Sequence, residues 1–301
     1  MALKQIKNKI ISTKKTGKVT KAMEAVSAVK MRKSQEQALR SRAYARAAVR
    51  ILMHLARTRE RALVPFTETV GERKLLIIVT SDKGLAGSVN SAVLKEAAKL
   101  IEQKATDVVV VGRKAAEFAR REGLAVIGEH INVSDTVTLE TVHGIASEVF
   151  EAYKTGSYKE VHILYQNFIS TFEQAPKARQ VFPLSVGVLE DAIRDIKPVK
   201  GIYADVPETV EEVLGGGYTI EPDAETVIAA LVPQLVEILV FHALIESKAS
   251  EHSARMVAMK NATDKANEMT HSLTLVFNKE RQAAITAEVS EITGGIEALK
   301  D

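Results

Sequence analysis

From Ile238 onward the chain repeats in steps of four and three residues. Ile238, His242, Ile245, Ala249, His252, Met256, Met259, Thr263, Ala266, Thr270, Leu273 and Phe277 fall on one seam, eleven consecutive steps of that spacing. This is the signature of a helix that winds against another helix. The frame fails at Glu280 and resumes shifted as Ile285, Val289, Ile292, Ile296 and Leu299. Asp223, following Pro222, is placed to cap the start of the helix, and before Gly294 the one interruption is Pro233. A helix over that span is roughly 115 Å long at 1.5 Å per residue. It cannot bury itself inside a domain of about 300 residues, so much of it must pair with a second helix.

The N-terminus supplies one. Ile6, Ile10, Thr13, Gly17 and Thr20 keep the same spacing, and Met23 and Val26 take the seam over one residue earlier than the frame predicts. No Pro occurs before Pro65, so a helix from about Lys4 to Thr58, roughly 80 Å long, is expected. Small seam residues, Gly17, Ala249 and Ala266, allow close approach. Charge supports the pairing. Residues 1–60 carry sixteen Lys and Arg against three acids, whereas residues 223–301 carry seven against twelve. The basic segment needs an acidic neighbour, whether nucleic acid, anionic lipid or an acidic protein face.

Between the helices, "KLLIIVTS" (74–81), "DVVVVGR" (107–113) and "EVHILYQNF" (160–168) are apolar runs separated by helical stretches near 88–104, 114–122 and 138–154. Such alternation predicts a mostly parallel, Rossmann-like sheet covered on both faces. The expected division is therefore a helix over 1–60, an α/β domain over 70–220 and a helix over 223–301, with 186–222 looser and "GGGY" (215–218) a turn.

Cys is absent from the chain, which excludes thiolate metal sites and Cys nucleophiles. Lys at positions 4, 7, 9, 14, 15, 18 and 21 breaks any secretory h-region, so the chain is expected to stay inside the cell. The apolar stretch from Val227 to Ile245 contains Pro233, Gln234, Glu237 and His242 and is expected to be buried or partner-facing rather than membrane-spanning.

"SDKGLAGSVN" (81–90) sits between a strand and a helix, where phosphate loops occur, yet lacks both the Walker and the dinucleotide patterns. It reads better as a tight turn presenting Lys83 and Leu85. His242, Glu246 and His252 lie near one helical stripe without metal-binding spacing. No catalytic constellation can be assembled, and no cofactor or metal is expected. Nucleic-acid binding by the basic helix is a competing reading, as is a coiled-coil scaffold. Against nucleic acid, Tyr44 is the only aromatic residue before Phe66, and the cations are spread around the helix.

Four segments, "KVTKAMEAVSAVKMRKSQ" (18–35), "SDKGLAG" (81–87), "ARMVAMKNATDKA" (254–266) and "NKERQAAITAEVSEITGG" (278–295), resemble the γ subunit family of F-type ATP synthases. The resemblance implies an antiparallel coiled coil acting as a non-catalytic rotor, one copy within a ring of three α and three β subunits, with ε and the membrane c-ring at its foot. It also implies a place on the cytoplasmic face of a bacterial membrane. By the same resemblance Met23, Lys83, Leu85, Arg255, Arg281, Gln282 and Thr286 are β-subunit contacts. Tyr218 and Glu221, in "GYTIEPD" (217–223), face the c-ring and ε.

Overall fold

A computed structural model describes residues 2–58, 66, 71–101, 105–195 and 220–298. The elements are α1 (Ala2–Thr58), β1 (Arg73–Val79), α2 (Val89–Leu100), β2 (Thr106–Val111), α3 (Arg113–Glu122), β3 (Ala125–His130), α4 (Leu139–Lys154), β4 (Tyr158–Phe168), β5 (Gln174–Phe182), α5 (Val186–Asp195) and α6 (Ala224–Ala298). Pro233 lies inside α6 without ending it. Asp223 caps α6 as expected: its carboxylate accepts from the Thr226 amide (2.8 Å) and the Thr226 hydroxyl (2.8 Å).

Five strands form one sheet in the order β3-β2-β1-β4-β5. All neighbours are parallel except β4 and β5, which pair antiparallel. Alternate residues of the central strands serve opposite faces, as the pleat requires. Leu75, Ile77, Val79, Val109, Val111, Ile163 and Tyr165 point to one core, with Val142, Ile145 and Val149 of α4. Leu76, Ile78, Val108, Val110 and Leu164 point to the other, with Val93 and Ala97 of α2 and Ala115, Phe118 and Ala119 of α3.

The first core also takes in Val49, Leu52 and Leu55 of α1 and Ile228 through Ile245 of α6. This explains the long apolar run of α6. An 18-residue window of the helix has a mean hydropathy of 2.1, enough by composition to cross a membrane, and 56% of it is buried within the chain's own fold.

By its internal contacts the chain divides into two units, Met1–Ser27 with Met256–Asp301, and Ala28–Arg255. The division falls inside the two long helices rather than at their ends, because their sheet-proximal parts belong to the α/β core. In the first unit α1 and α6 run antiparallel: Thr20 and Thr263 share a hydroxyl hydrogen bond of 2.7 Å, and one turn away Gly17 faces Ala266. A Cβ added at Gly17 would lie 3.3 Å from that of Ala266. Met259, Thr263 and Ala266 are buried on the anticipated seam, while Ile285, Val289, Ile292 and Ile296 are exposed.

Two strands escaped the sequence reading. β3 is short and mostly exposed, and β5 carries Pro176 and two cations. Both are edge strands, where a ladder tolerates such residues. Part of the stretch expected to be loose, Val186–Asp195, is helical, and the "GGGY" turn lies outside the described residues.

Candidate partner-docking site

The loop between β1 and α2 is a rigid base carrying an exposed tip. At the base, the Asn90 side chain accepts from the Ser81 amide (3.0 Å) and donates to the Ser81 hydroxyl (2.8 Å), which itself donates to the Lys83 carbonyl (2.7 Å). Asp82 accepts from the amides of Arg113 (3.0 Å) and Asn132 (2.9 Å), which ties the loop to two neighbouring turns. Ala86 is 2% exposed and anchors the far side of the tip, whereas Leu85 is 64% exposed. Lys83 is exposed beside it. Leu85 is held at φ 63°, a left-handed conformation that costs a residue with a Cβ roughly 1–2 kcal/mol. A backbone held in that region with a large apolar side chain in solvent makes the tip a candidate contact surface.

Beneath the tip, α6 contributes a buried polar cluster. Arg255 is 7% exposed, and its guanidinium donates to the Gly84 carbonyl from Nε (3.4 Å) and Nη2 (3.2 Å). Nη2 also meets Glu251 Oε1 at 2.6 Å, and Nη1 approaches His252 Nδ1 at 3.3 Å. Because Nδ1 accepts from Arg255, the proton of the neutral ring sits on Nε2, which faces Asp135 Oδ1 at 3.2 Å. Burial lowers the His252 pKa, Arg255 and Lys248 add to the effect, and the nearby Glu251 and Asp135 oppose it. The Asp135 carboxyl is held below its usual range: burial pushes it up, but the hydrogen bond from Lys30 and the charges of His252, Lys30 and Lys248 outweigh that. Lys30 reaches Asp135 at 2.6 Å, and Lys248 donates to the Val133 carbonyl at 2.9 Å.

Arg255, one of the anticipated contacts, is buried, and its guanidinium is occupied within the chain by Gly84, Glu251 and His252. Among the other anticipated contacts, Met23 is half-buried on α1, and Arg281, Gln282 and Thr286 are exposed on α6. Gln282 and Thr286 stand one turn apart, and the Thr286 hydroxyl donates to the Gln282 carbonyl at 2.9 Å. Glu221 is exposed just before α6, and Tyr218 lies outside the described residues.

The histidine stripe serves separate structural tasks. Glu246 accepts from the Phe168 amide at the end of β4 (2.8 Å) with His242 at 3.8 Å, while His252 faces Asp135. Among the described residues no group of three His, Cys, Asp or Glu is arranged to hold a metal. The Asp135–Lys30–His252 part of the cluster was not anticipated. Its only sequence signal is the charged set Lys248, Glu251, His252 and Arg255, at helical spacing among alanines and serines.

A family profile described as ATP synthase matches residues 2–299. The chain is 39% identical over 306 residues to the ATP synthase gamma chain of Chloroflexus aurantiacus, covering 98% of each. The chain belongs to the ATP synthase gamma chain family. Another member, the ATP synthase gamma chain of Legionella pneumophila, is 35% identical over 302 residues, covering 98% of this chain and 99% of its own. The central stalk of the Tetrahymena thermophila mitochondrial ATP synthase superposes with a TM-score of 0.60 at 25% identity, covering 81% of this chain and 99% of the stalk chain. A chain of the Euglena gracilis mitochondrial ATP synthase shares the fold, with a TM-score of 0.66 at 19% identity over 99% of this chain and 94% of its own. Membership of this family leaves no support for the nucleic-acid and scaffold readings of the basic helix.

Proposed function

We propose that this chain is the central shaft of a rotary ATP synthase, coupling ion flow through a membrane c-ring to ATP synthesis or hydrolysis at β subunits. The observation that carries the reading is family membership across residues 2–299, joined to two long helices paired antiparallel. One copy would stand within three α and three β subunits, with ε and the c-ring at the foot near Glu221 and Tyr218, on the cytoplasmic face of a bacterial membrane. The shaft supplies no catalytic group and needs no cofactor, so the chemistry of ATP stays on β.

The work of such a shaft is differential contact. Each β subunit meets a different side of an asymmetric helical pair, and only a difference in contact free energy shifts one site relative to another. Lys83 and Leu85 on the loop, Met23 on α1, and Arg281, Gln282 and Thr286 on α6 are the proposed contacts, with Arg255 acting from beneath the loop. The excess of cations over residues 1–60 calls for acidic elements on β.

The test is reconstitution with α and β subunits of the same source. A complex with one copy per three αβ pairs is expected, with ATP hydrolysis slowed by Arg281→Ala and Gln282→Ala. A chain that stays out of the complex ends the proposal.

A further inference from the structure

We infer that Arg255 and Glu251 form a latch that positions Leu85 by fixing the peptide plane on which its left-handed backbone turns. The inference rests on the proposal that the loop tip docks on a partner. The φ angle of Leu85 is a rotation about its own N–Cα bond, measured from the carbonyl carbon of Gly84. A group that holds the Gly84 carbonyl oxygen therefore holds the plane from which that rotation starts. Arg255 does this with two donors, Nε at 3.4 Å and Nη2 at 3.2 Å. Glu251 keeps the fork aimed, accepting from Nη2 at 2.6 Å, and both side chains are more than nine-tenths buried.

The rest of the loop leaves Leu85 as the point where freedom remains. Ser81, Asp82, the Lys83 carbonyl and Ala86 are fixed by hydrogen bonds or burial. Nothing lies within 4 Å of a Cβ built on Gly84, so packing does not restrain that residue from its side-chain direction. Without the latch, Leu85 is free to leave the left-handed region, since negative φ is the favoured state of a leucine. Its side chain would then leave the presented direction. Arg255 and Glu251 are positioning residues, and Leu85 is the contact.

Removing Arg255 alone leaves the buried Glu251 with Lys248, at 3.9 Å, as its remaining cation and risks unfolding. The discriminating variant is the double replacement Glu251→Leu with Arg255→Met, which keeps the volume and leaves neither member of the pair charged; Lys248, 3.9 Å from Glu251, loses that partner and keeps its bond to the Val133 carbonyl. Amide hydrogen exchange on the full chain is the first readout. Exchange at 83–87 is expected to accelerate on the order of tenfold or more, while the β1 amides Leu76–Val79 keep their protection. Equal acceleration in both places, or none in the loop, overturns the latch. The second readout is ATP hydrolysis after reconstitution with α and β subunits. Leu85→Ala is expected to slow turnover in the unaltered chain and to add little in the double variant; full additivity overturns the coupling. Should the unaltered chain fail to assemble, the shaft proposal falls, and the exchange experiment still decides the latch.

Discussion

At the scale of single residues, the chain's stability against acid should be traceable to a few buried carboxylates and one histidine. Asp107 on β2 takes hydrogen bonds from Arg73 on β1, through Nε at 2.9 Å and through Nη2, and from the Tyr158 hydroxyl on β4 at 2.9 Å. Burial would raise its pKa, but the bonds from Arg73 and Tyr158 hold it below 3.8, and burial followed by the bond to Asp107 pushes Tyr158 up to about 12. A carboxyl depressed in the folded state stabilises above its unfolded value and loses that contribution as pH falls through its folded one. Asp107→Asn is therefore expected to cost about 1–3 kcal/mol at neutral pH. Urea midpoints of the two proteins should converge as pH is lowered from about 5 to about 2. His252 follows the same sign by a different route. Its folded pKa lies below 6.5, so the folded state binds fewer protons than the unfolded one, and the ring stabilises above that value and ceases to as pH falls. The groups facing it are Asp135, with Lys30 behind, and Lys248, Glu251 and Arg255. His252→Gln should flatten the fall in urea midpoint between about pH 7 and about pH 5, and an unchanged slope would show that the loss lies elsewhere, the half-buried His162 being the other described histidine with a lowered pKa. None of these roles was legible in the sequence. The acceptor of Arg255 is a backbone carbonyl 171 positions away, and a carbonyl has no sequence signature.

At the scale of elements, the antiparallel pair depends on close approach where its seam is smallest. Gly17→Val would put a branched side chain where even a Cβ is tight against Ala266. It is expected to weaken the first unit by about 1–3 kcal/mol, read as faster amide exchange around residues 13–20 and 263–270 with β1 protection unchanged. If the two regions change together, the packing at Gly17 is not what sets the helix pair apart. This part of the fold was readable in advance, because steps of four and three leave a mark over many turns and small residues on a seam have one physical use. The central strands β1 and β2 were readable for a similar reason, as apolar runs buried on both faces, and β4 through its buried Ile163, Leu164 and Tyr165. The edge strands were not. With one side of the ladder open, β3 and β5 carry residues that a central strand would reject.

At the scale of the whole molecule, the informative property is a division of labour along continuous helices. α1 and α6 each begin or end in a helix pair and elsewhere complete the core of an α/β sheet. Composition averages would not disclose this. The net charge of +3 conceals a strongly basic N-terminal segment, and the apolar run that passes for a membrane span is a core helix. The proposed contacts come from family resemblance. The structure adds that Lys83, Leu85, Arg281, Gln282 and Thr286 are exposed and that Arg255 is buried.

Six hydroxyls of the two helices are turned inward on their own backbones. Thr16, Ser27, Thr263, Thr274, Thr286 and Thr293 each donate to the carbonyl four residues earlier, at 2.6–3.1 Å. A hydroxyl whose proton is already bonded to its own helix has none left to offer a passing surface. For a shaft turning inside a sleeve, such a position can only accept, so a partner that bonds there must bring the donor.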